Sequence, residues 1–468
     1  MNRTFSVGLG FFLIFFTYFS FTSYHLPNSA GPDFSFSRAA ADFYYAENRM
    51  AVLPEDEDKM VFSRYGNSRL LRPPLGFYLP AVMAKIPILK DLNRAYSYRV
   101  TIAMLAGLTV MFIFLALKTY FSSLSYAVFG TLSIALLPQF SFYASYFSDD
   151  MIAFLASSIL AYAIVVIFKH GISLWKQLLF AFAAGLCVIS KQTAWIFLAP
   201  AIAFYLIFML DYSTDYFKSR NFYLPLGLMA FAFIIGGGWW LIFNMYHYGV
   251  SEFMLSKTVE EITNRNKTID FAQLGYAAKD IGIKHLLIVN FDNFLGATYI
   301  AFVGNLDWLR IRVGSLQYGF YLWIIAGILL NGLVLIYQSV DYAWKRWTGV
   351  TFENYPRTFI LEILFFFAIL LQIYMYTDHN VNADIQIQGK YLMTIFIPML
   401  VLALSFYQKM FVYLSERFDY FEAPNALKIT ILVVLFSLPV LVHLDALVDY
   451  VIPFYWPELE ISVILNWL

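Results

Sequence analysis

About eleven stretches of the sequence are apolar over the length, roughly 20 residues, that a helix needs to cross a lipid bilayer. In chain order, the predicted spans are Thr4–Tyr24, Val100–Leu117, Ser125–Tyr143, Met151–Phe168, Gln177–Ser190, Thr193–Leu210, Leu224–Tyr246, Leu316–Tyr337, Phe359–Tyr376, Tyr391–Tyr407 and Ile429–Leu447. The pattern predicts an all-α fold, a polytopic membrane helical bundle that occupies residues 1–468 as a single transmembrane domain. Because the first apolar run is longer than a signal-peptide core, we interpret it as a span that is not cleaved.

Composition agrees with a membrane protein. Charged residues make up 13% of the chain and hydrophobic residues 60%, whereas soluble domains carry about 25% charged residues. The formal net charge is zero, which gives no reason to expect a nucleic-acid partner. Cys187 is the single cysteine, so an intrachain disulfide and a cysteine metal site are both excluded. We expect Cys187 to be packed within a helix.

The distribution of basic residues predicts the orientation. Cytoplasmic loops of membrane proteins carry an excess of Lys and Arg. With the N-terminus inside, the cytoplasmic connections hold Lys118, Lys169, Lys176, Lys218, Arg220, Lys345, Arg346, Arg357, Lys409, Arg417 and Lys428. The short outer connections hold only Lys191 and Lys390, and the C-terminus then lies on the outer face. Counting His285–Val303 as a further span would invert the later loops, so we interpret it as an interfacial helix.

Two long loops are predicted on the outer face, over residues 25–99 and 247–315. Both contain many aromatic residues, which disordered segments lack, so we expect structured loops that carry interfacial helices. The apolar stretch from Leu75 to Ile88 is too short to span and follows two prolines, which favours a helix at the membrane surface. The run Glu55 to Asp58 is interpreted as a solvated charge run.

Ionisable residues gather at the predicted outer ends of the spans. They are Asp33, Asp42, Glu47, Asp149, Asp150, Lys191 and Lys390. Carboxylates there suit a general base or a cation site, and lysines suit phosphate oxygens. Simpler roles stay open for each: Asp149 and Asp150 as residues that begin a helix, Lys191 as an interfacial anchor, and Asp42 with Glu47 as a solvated helix face.

Other features favour structure over chemistry. The histidines near the outer face have no metal-ligand spacing, so we expect no metal site. Gly236, Gly237 and Gly238 lie inside a predicted span, where they favour close helix packing or a kink.

Five short motifs in a fixed order carry a family resemblance. They are Pro32-Asp33-Phe34, Arg72-Pro73-Pro74-Leu75-Gly76-Phe77-Tyr78, Ser148-Asp149-Asp150-Met151-Ile152-Ala153, Ile189-Ser190-Lys191-Gln192-Thr193 and Gln388-Gly389-Lys390-Tyr391. Their order over nearly the whole chain resembles that of the GT-C superfamily of polytopic glycosyltransferases. The resemblance is to the dolichyl-phosphate-mannose protein mannosyltransferases, the lipid A aminoarabinose transferases and related bacterial membrane proteins. Phe34 replaces a second acidic residue of that pattern, and Arg72 replaces a histidine.

The resemblance implies inverting transfer of a sugar from a polyprenyl-phosphate-linked donor to a lipid, glycan or protein acceptor. The implied roles are Asp33, or Asp42 in its place, as general base; Lys191, Lys390 and Arg72 as donor-phosphate ligands; and Asp149 and Asp150 as supporting or cation-binding residues. No cofactor is expected, although a divalent cation stays open. The expected location is the bacterial inner (plasma) membrane. The alternative is a lipid-linked sugar polymerase, ligase or flippase of cell-envelope polysaccharide assembly.

Overall fold

The computed structural model of this chain describes residues 3–28, 30–209, 220–269, 275–348, 357–417 and 425–458. The α-helices are α1 (Arg3–His25), α2 (Phe34–Glu47), α3 (Leu75–Met83), α4 (Pro87–Lys90), α5 (Arg94–Phe121), α6 (Leu124–Ala135), α7 (Pro138–Ser145), α8 (Asp150–His170), α9 (Leu174–Ser190), α10 (Gln192–Met209), α11 (Arg220–Phe233), α12 (Trp239–Tyr248), α13 (Ser256–Asn266), α14 (Ala297–Gly304), α15 (Ser315–Trp347), α16 (Arg357–Asn382), α17 (Phe396–Arg417), α18 (Asn425–Ala446) and α19 (Ile452–Tyr455).

Short elements complete the described chain. The 3₁₀ helices are Glu57–Lys59, Arg69–Leu71, Val250–Glu252, Tyr276–Lys279 and Gly389–Ile395, and the π-helical turns are Ile234–Gly238, His285–Val289, Asp292–Gly296 and Leu447–Val451. Two antiparallel strands, β1 (Asn305–Leu306) and β2 (Ile311–Arg312), pair Asn305 with Arg312. The fold is therefore all-α, as the sequence predicts, and polytopic.

Within the described residues, nine helices are long and apolar enough to cross a membrane. Helix α5 shows why such a helix forms: the Asn93 side chain accepts from the Ala95 N–H at 3.0 Å at its start, and Ser122 ends it in the left-handed conformation. Its 28 residues span about 40 Å, more than the roughly 30 Å of hydrocarbon in a bilayer. Helix α8 is apolar on all sides and lies at the centre of the bundle. Of its most apolar segment of 18 residues, 94% is buried.

The third predicted span differs from the structure. The sequence predicts one helix over Ser125–Tyr143, whereas α6 and α7 are bent by 62° relative to each other. Pro138 begins α7, since proline lacks an N–H and is tolerated in a first turn but not in a helix interior. The bent pair counts as a tenth possible span, and α9, at 17 residues, is a shorter apolar helix. The predicted total of eleven stays a prediction.

The glycines of the seventh span pack closely and interrupt the helix, as predicted. A Cβ on Gly236 would lie 2.2 Å from the carbonyl oxygen of Phe182, and one on Gly185 would lie 2.3 Å from that of Phe233. Gly237 has φ 155°, which breaks the α-helix into a π-helical turn between α11 and α12. The absence of side chains therefore lets this broken span lie directly against α9.

The two long loops dock on each other at one end of the bundle. We call this end, where α1 ends and α5 and α8 begin, the loop end. Arg265 of α13 lies 3.0 Å from Glu57, and the Thr263 hydroxyl donates to Asn67 at 3.1 Å. The predicted solvated run is wrong at Asp56, which is buried because it accepts two hydrogen bonds of 2.7 Å from Arg49. The assignment of residues 25–99 and 247–315 to the outer face stays a prediction.

Candidate active site

The turn between α9 and α10 places one lysine over the start of α8. Lys191 is extended, with φ −163°, and is the single residue between these two helices. Its Nζ donates to Oδ1 of Asp149 at 2.7 Å and to Oδ1 of Asp150 at 2.6 Å. Asp149 and Asp150 are buried, and the Lys191 side chain is mostly buried, with 12% of its surface exposed. The two carboxylates do begin a helix, as one interpretation predicted, and they also form a charged pair with Lys191.

Lys390 approaches the same carboxylates from another part of the chain. It follows Gly389 in the 3₁₀ helix before α17, and its Nζ lies 3.5 Å from Oδ2 of Asp150. The same Nζ lies 5.9 Å from the centre of the Tyr143 ring and 5.5 Å from that of Tyr391. Because aromatic ring faces attract cations, these rings help to hold a buried ammonium group in place.

The first long loop contributes a third cation. Arg72 Nη1 lies 3.6 Å from Oδ2 of Asp149. Helix α3, which follows it, packs directly on the start of α8, and a Cβ on Gly76 would lie only 2.8 Å from the Cβ of Asp149. A glycine at this position is therefore what allows the two helices to approach and Arg72 to reach the carboxylate.

Asp33 lies at the edge of this cluster. It has φ 62° and precedes α2, yet its carboxylate makes no capping hydrogen bond to that helix. Instead it accepts a short hydrogen bond from Nη2 of Arg69, which is itself mostly buried. The Asp33 side chain keeps 39% of its surface exposed, whereas Asp149 and Asp150 are almost fully buried. Asp33 is thus the carboxylate that a ligand can reach.

The electrostatics of the cluster are unbalanced. Burial alone would raise the pKa of Asp149, but the charges of Lys191, Arg69 and Arg72 outweigh it and hold that pKa well below its usual value. The cluster contains four cations and three carboxylates: Arg69, Arg72, Lys191 and Lys390 with Asp33, Asp149 and Asp150. The cluster therefore carries one more positive than negative formal charge, although each cation lies within ion-pair distance of a carboxylate.

Asp42 belongs to a different group of side chains. It accepts from the Tyr98 hydroxyl at 2.8 Å and lies 3.4 Å from both Arg38 and Arg94. Asp42 lies nine positions after Asp33 in the chain, which corresponds to about 13 Å along the helix axis. The structure thus brings together every predicted site residue except Asp42.

Sequence reasoning missed Arg69. The motif that carries Arg72 begins after it, and nothing in the local sequence marks a lysine or arginine in a loop as a partner of a distant Asp33. Arg69 begins a 3₁₀ turn that ends just before Arg72, and this turn is a feature of the structure that no sequence pattern marked.

A cleft of about 90 Å³ borders the cluster. Its lining includes Pro32 and Gly389, the chain neighbours of Asp33 and Lys390, together with Tyr143. A small molecule in this cleft would therefore lie beside the cationic side of the cluster. Among the described residues, no group of three or more His, Cys, Asp or Glu side chains is placed to hold a metal ion.

A sequence-family comparison decides the classification. The profile of the family described as "Predicted membrane protein (DUF2142)" matches residues 16–402. The chain belongs to this family. The sequence matches no curated protein.

Solved structures with a similar chain course include ArnT from Cupriavidus metallidurans and the archaeal oligosaccharyltransferase AglB from Archaeoglobus fulgidus. ArnT bound to undecaprenyl phosphate is 12% identical, with a TM-score of 0.43 over 86% of this chain and 60% of that one. For the structure of ArnT in the apo state, the identity is 12% and the TM-score is 0.39, over 85% of this chain and 76% of that one. AglB, in complex with an inhibitory peptide and a dolichol-phosphate, is 13% identical, with a TM-score of 0.44 over 93% and 55%.

The chain thus spans 60% of the undecaprenyl phosphate-bound ArnT chain and 55% of the AglB chain.

Proposed function

We propose that this protein is an inverting membrane glycosyltransferase that moves a sugar from a polyprenyl-phosphate-linked donor to an acceptor at the outer, periplasmic or lumenal, face. The observation that carries the proposal is the buried cluster at the loop end, in which four cations meet three carboxylates beside an open cleft. The proposed location is the bacterial inner membrane, with the N-terminus cytoplasmic and the C-terminus outside.

The surplus charge suits a lipid phosphate. A polyprenyl-phosphate sugar is a phosphodiester with one negative charge, and the phosphate that departs gains further charge as the glycosidic bond breaks. Cations that are already in place stabilise such developing charge without reorganisation. Lys191, Lys390 and Arg72 are the proposed phosphate ligands, and Asp149 and Asp150 hold the two lysines in position. Because Lys191 Nζ contacts both carboxylates, a bound divalent cation would have to displace it.

Asp33 is the proposed general base. A base must be ionised, reachable and within hydrogen-bond distance of the acceptor hydroxyl. Asp149 is buried and its pKa is held low, which makes it a weak base, whereas Asp33 is partly exposed at the edge of the cluster. The acceptor oxygen would attack the anomeric carbon as Asp33 takes its proton, and the bond to the phosphate oxygen would break. A single displacement of this kind inverts the anomeric configuration.

The test is release of polyprenyl phosphate by the purified protein from a panel of polyprenyl-phosphate sugars, with lipid, glycan and peptide acceptors supplied. We expect Asp33→Asn to lower kcat by about 10²–10⁴-fold, since that is the usual contribution of a general base. Asp42→Asn, the matched variant in the neighbouring carboxylate, is expected to lower kcat less than tenfold. Chelation of divalent cations is expected to leave the rate unchanged.

Each opposite result has a separate meaning. A folded Asp33→Asn protein that keeps the wild-type rate would remove the base assignment, and an Asp42→Asn protein that alone loses activity would transfer it to Asp42. No release from any donor by folded wild-type protein would overturn the glycosyltransferase proposal in favour of a lipid-linked sugar polymerase, ligase or flippase.

A further inference from the structure

The cleft beside the charged cluster has a lining unlike that of the cluster itself. Three neutral amide side chains contribute to it, those of Gln139, Asn305 and Gln388. The Gln139 Oε1 atom already accepts from the backbone N–H of Asn305 at 2.9 Å, which ties the start of β1 to α7. Asp307 also contributes, but its Oδ1 accepts from the backbone N–H of Gly31 at 2.9 Å. The wall therefore combines three neutral amides with one carboxylate.

Two of these amides are unsatisfied. The side-chain oxygens Oδ1 of Asn305 and Oε1 of Gln388 are buried and accept no hydrogen bond from any residue in the described ranges. Buried polar atoms are almost always paired, because the loss of hydration is otherwise uncompensated. Two acceptors of this kind in the wall of one cleft indicate a ligand that brings its own hydrogen-bond donors.

An aromatic side chain forms another part of the same wall. Asp307, Trp308 and Leu309 connect β1 to β2 with φ values of 42°, 53° and 63°, so three successive non-glycine residues are left-handed. Such a conformation is unfavourable and persists where surrounding contacts fix it, commonly at ligand sites. Here the bond from Gly31 fixes Asp307. The turn presents Trp308 at the cleft with 55% of its surface exposed.

Hydroxyl donors and an apolar face together are the chemistry of a sugar ring. The C–H bonds on one side of a pyranose form an apolar face that packs on an aromatic ring, while its hydroxyls donate to carbonyl oxygens. The cleft also adjoins Asp33 and Lys390 through Pro32 and Gly389. A sugar bound there would lie next to the chain segments that carry the proposed base, Asp33, and one proposed phosphate ligand, Lys390.

We propose that this cleft is the subsite for the donor sugar, that Asn305 and Gln388 accept hydrogen bonds from its hydroxyls, and that Trp308 stacks on its ring. The Asp307 carboxylate in the same lining disfavours a uronic acid, because it would repel a second carboxylate. This inference rests on the proposed function and names the sugar class for it.

The experiment compares the binding of two probes in detergent, polyprenyl phosphate and polyprenyl phosphoglucose. Wild-type protein is expected to bind the sugar-bearing lipid about tenfold more tightly or better, which is the scale of one or two added polar contacts. Trp308→Ala and Gln388→Leu are expected to remove that advantage and to leave the affinity for polyprenyl phosphate unchanged. Trp308→Phe should keep most of the advantage, because it retains an aromatic face.

The control is Trp347→Ala, which removes another exposed tryptophan at the far end of α15 and should change neither affinity. Unchanged binding of polyprenyl phosphoglucose by both Trp308→Ala and Gln388→Leu would overturn the subsite, as would equal weakening of both probes. The proposed function fails in a different way: wild-type protein would bind neither probe, or Lys191→Ala would bind both as tightly as wild type does. A polyprenyl-phosphate uronic acid bound more tightly than the glucose probe would overturn the exclusion of acidic sugars alone.

Discussion

Two clusters of buried charge occupy opposite ends of the helical bundle, and they differ in charge balance and access. The loop-end cluster is the candidate site around Asp149, Asp150, Lys191 and Lys390. The opposite cluster centres on Glu362 of α16, near the end of α5. Its carboxylate accepts from the Tyr120 hydroxyl at 2.8 Å, from Asn331 Nδ2 at 3.1 Å and from Lys409 Nζ at 2.6 Å.

The opposite cluster is complete in itself. Lys409 also donates to Asn331 Oδ1 at 3.1 Å, so the amide bridges the lysine and the carboxylate. Within this cluster one positive charge meets one negative charge, and the four side chains come from the four helices α5, α15, α16 and α17. The contrast teaches that a buried ion pair alone is a packing device. Surplus charge beside a cleft is what indicates a ligand.

Replacement of the lysine in each cluster, Lys191 or Lys409, is expected to give the largest difference between the two clusters. Lys191→Ala leaves Asp149 and Asp150 buried without their closest cation, so we expect a stability loss of about 3–5 kcal/mol. It also removes a phosphate ligand, so we expect kcat to fall about 10²–10³-fold, as when one transition-state donor is deleted. Lys409→Ala, at a half-exposed lysine, should cost less stability and keep the rate per folded molecule. The measurements are thermal unfolding and release of polyprenyl phosphate, made on the same samples of both variants.

Equal loss of activity in the two lysine variants would break the comparison, because the opposite cluster would then also affect catalysis. A Lys191→Arg variant keeps the charge but changes the geometry. Partial recovery of the rate in Lys191→Arg would attribute the loss to charge, whereas no recovery would attribute it to the position of the ammonium group.

Glu362→Gln tests whether the opposite cluster is structural. Glutamine keeps the shape but leaves Lys409 without a carboxylate, and the two other donors lose an ionised acceptor. Hydrogen bonds between membrane helices contribute about 0.6–1.7 kcal/mol each, so we expect a loss of about 2 kcal/mol in stability. The rate of sugar transfer per folded molecule should stay within twofold of wild type. A tenfold lower rate with unchanged unfolding temperature would contradict a purely structural role.

Substitution of one glycine beside each cluster tests how much that cluster depends on close helix packing. Gly76→Ala would place a Cβ 2.8 Å from that of Asp149, whereas Gly332→Ala, beside Asn331, would place one 2.8 Å from the Phe366 ring. Both are expected to destabilise the protein by about 1–3 kcal/mol through overpacking. Only Gly76→Ala should also lower the rate, by several-fold, since it displaces Asp149.

Gly10→Ala, whose Cβ would meet nothing within 4 Å, is the control for the helical glycines and should lower neither stability nor rate. If Gly332→Ala reduced activity as much as Gly76→Ala does, the effect would be general destabilisation of the bundle. The position of α3 against α8 would then have no special importance for the site.

The sequence predicts much of this architecture, for clear physical reasons. Long apolar runs mark α1, α5 and α8, because side chains that face lipid and side chains that pack inside the helical bundle are both apolar. The motif residues Asp149, Asp150, Lys191 and Lys390 could be placed at one end because each lies at the end of a span. The bend at Pro138 was missed, since the apolar run continues through it unchanged.

What the sequence could not predict depends on contacts between distant segments. Arg69 meets Asp33 only because the first loop folds back over α2, and Asp56 is buried only because Arg49 turns toward it. Glu362 lies inside the predicted span Phe359–Tyr376, and its partners come from three other helices. Composition does not reveal such pairings, since they depend on how helices are arranged around one another.

The smallest expected effect is the pH dependence of the loop-end cluster. The pKa of Asp149 lies below its usual value in the folded protein, because Lys191, Arg69 and Arg72 outweigh the effect of burial. A carboxyl with a lowered folded pKa contributes stability above its unfolded pKa, about 3.9, and loses it as pH falls toward the folded value. The unfolding temperature of wild type should therefore exceed that of Asp149→Asn by a constant amount from pH 5 to 8, and the difference should shrink below about pH 4.

Asp341→Asn is the control for this last measurement, because it removes the exposed i,i+4 pair with Lys345 and should change stability little at any pH. A difference between wild type and Asp149→Asn that disappears already near pH 6 would contradict the prediction. It would mean that Asp149 is protonated close to neutrality and that the surplus cations do not hold it ionised. The charge available for a lipid phosphate would then be larger than the cluster geometry indicates, and Asp149 would join Asp33 as a candidate base.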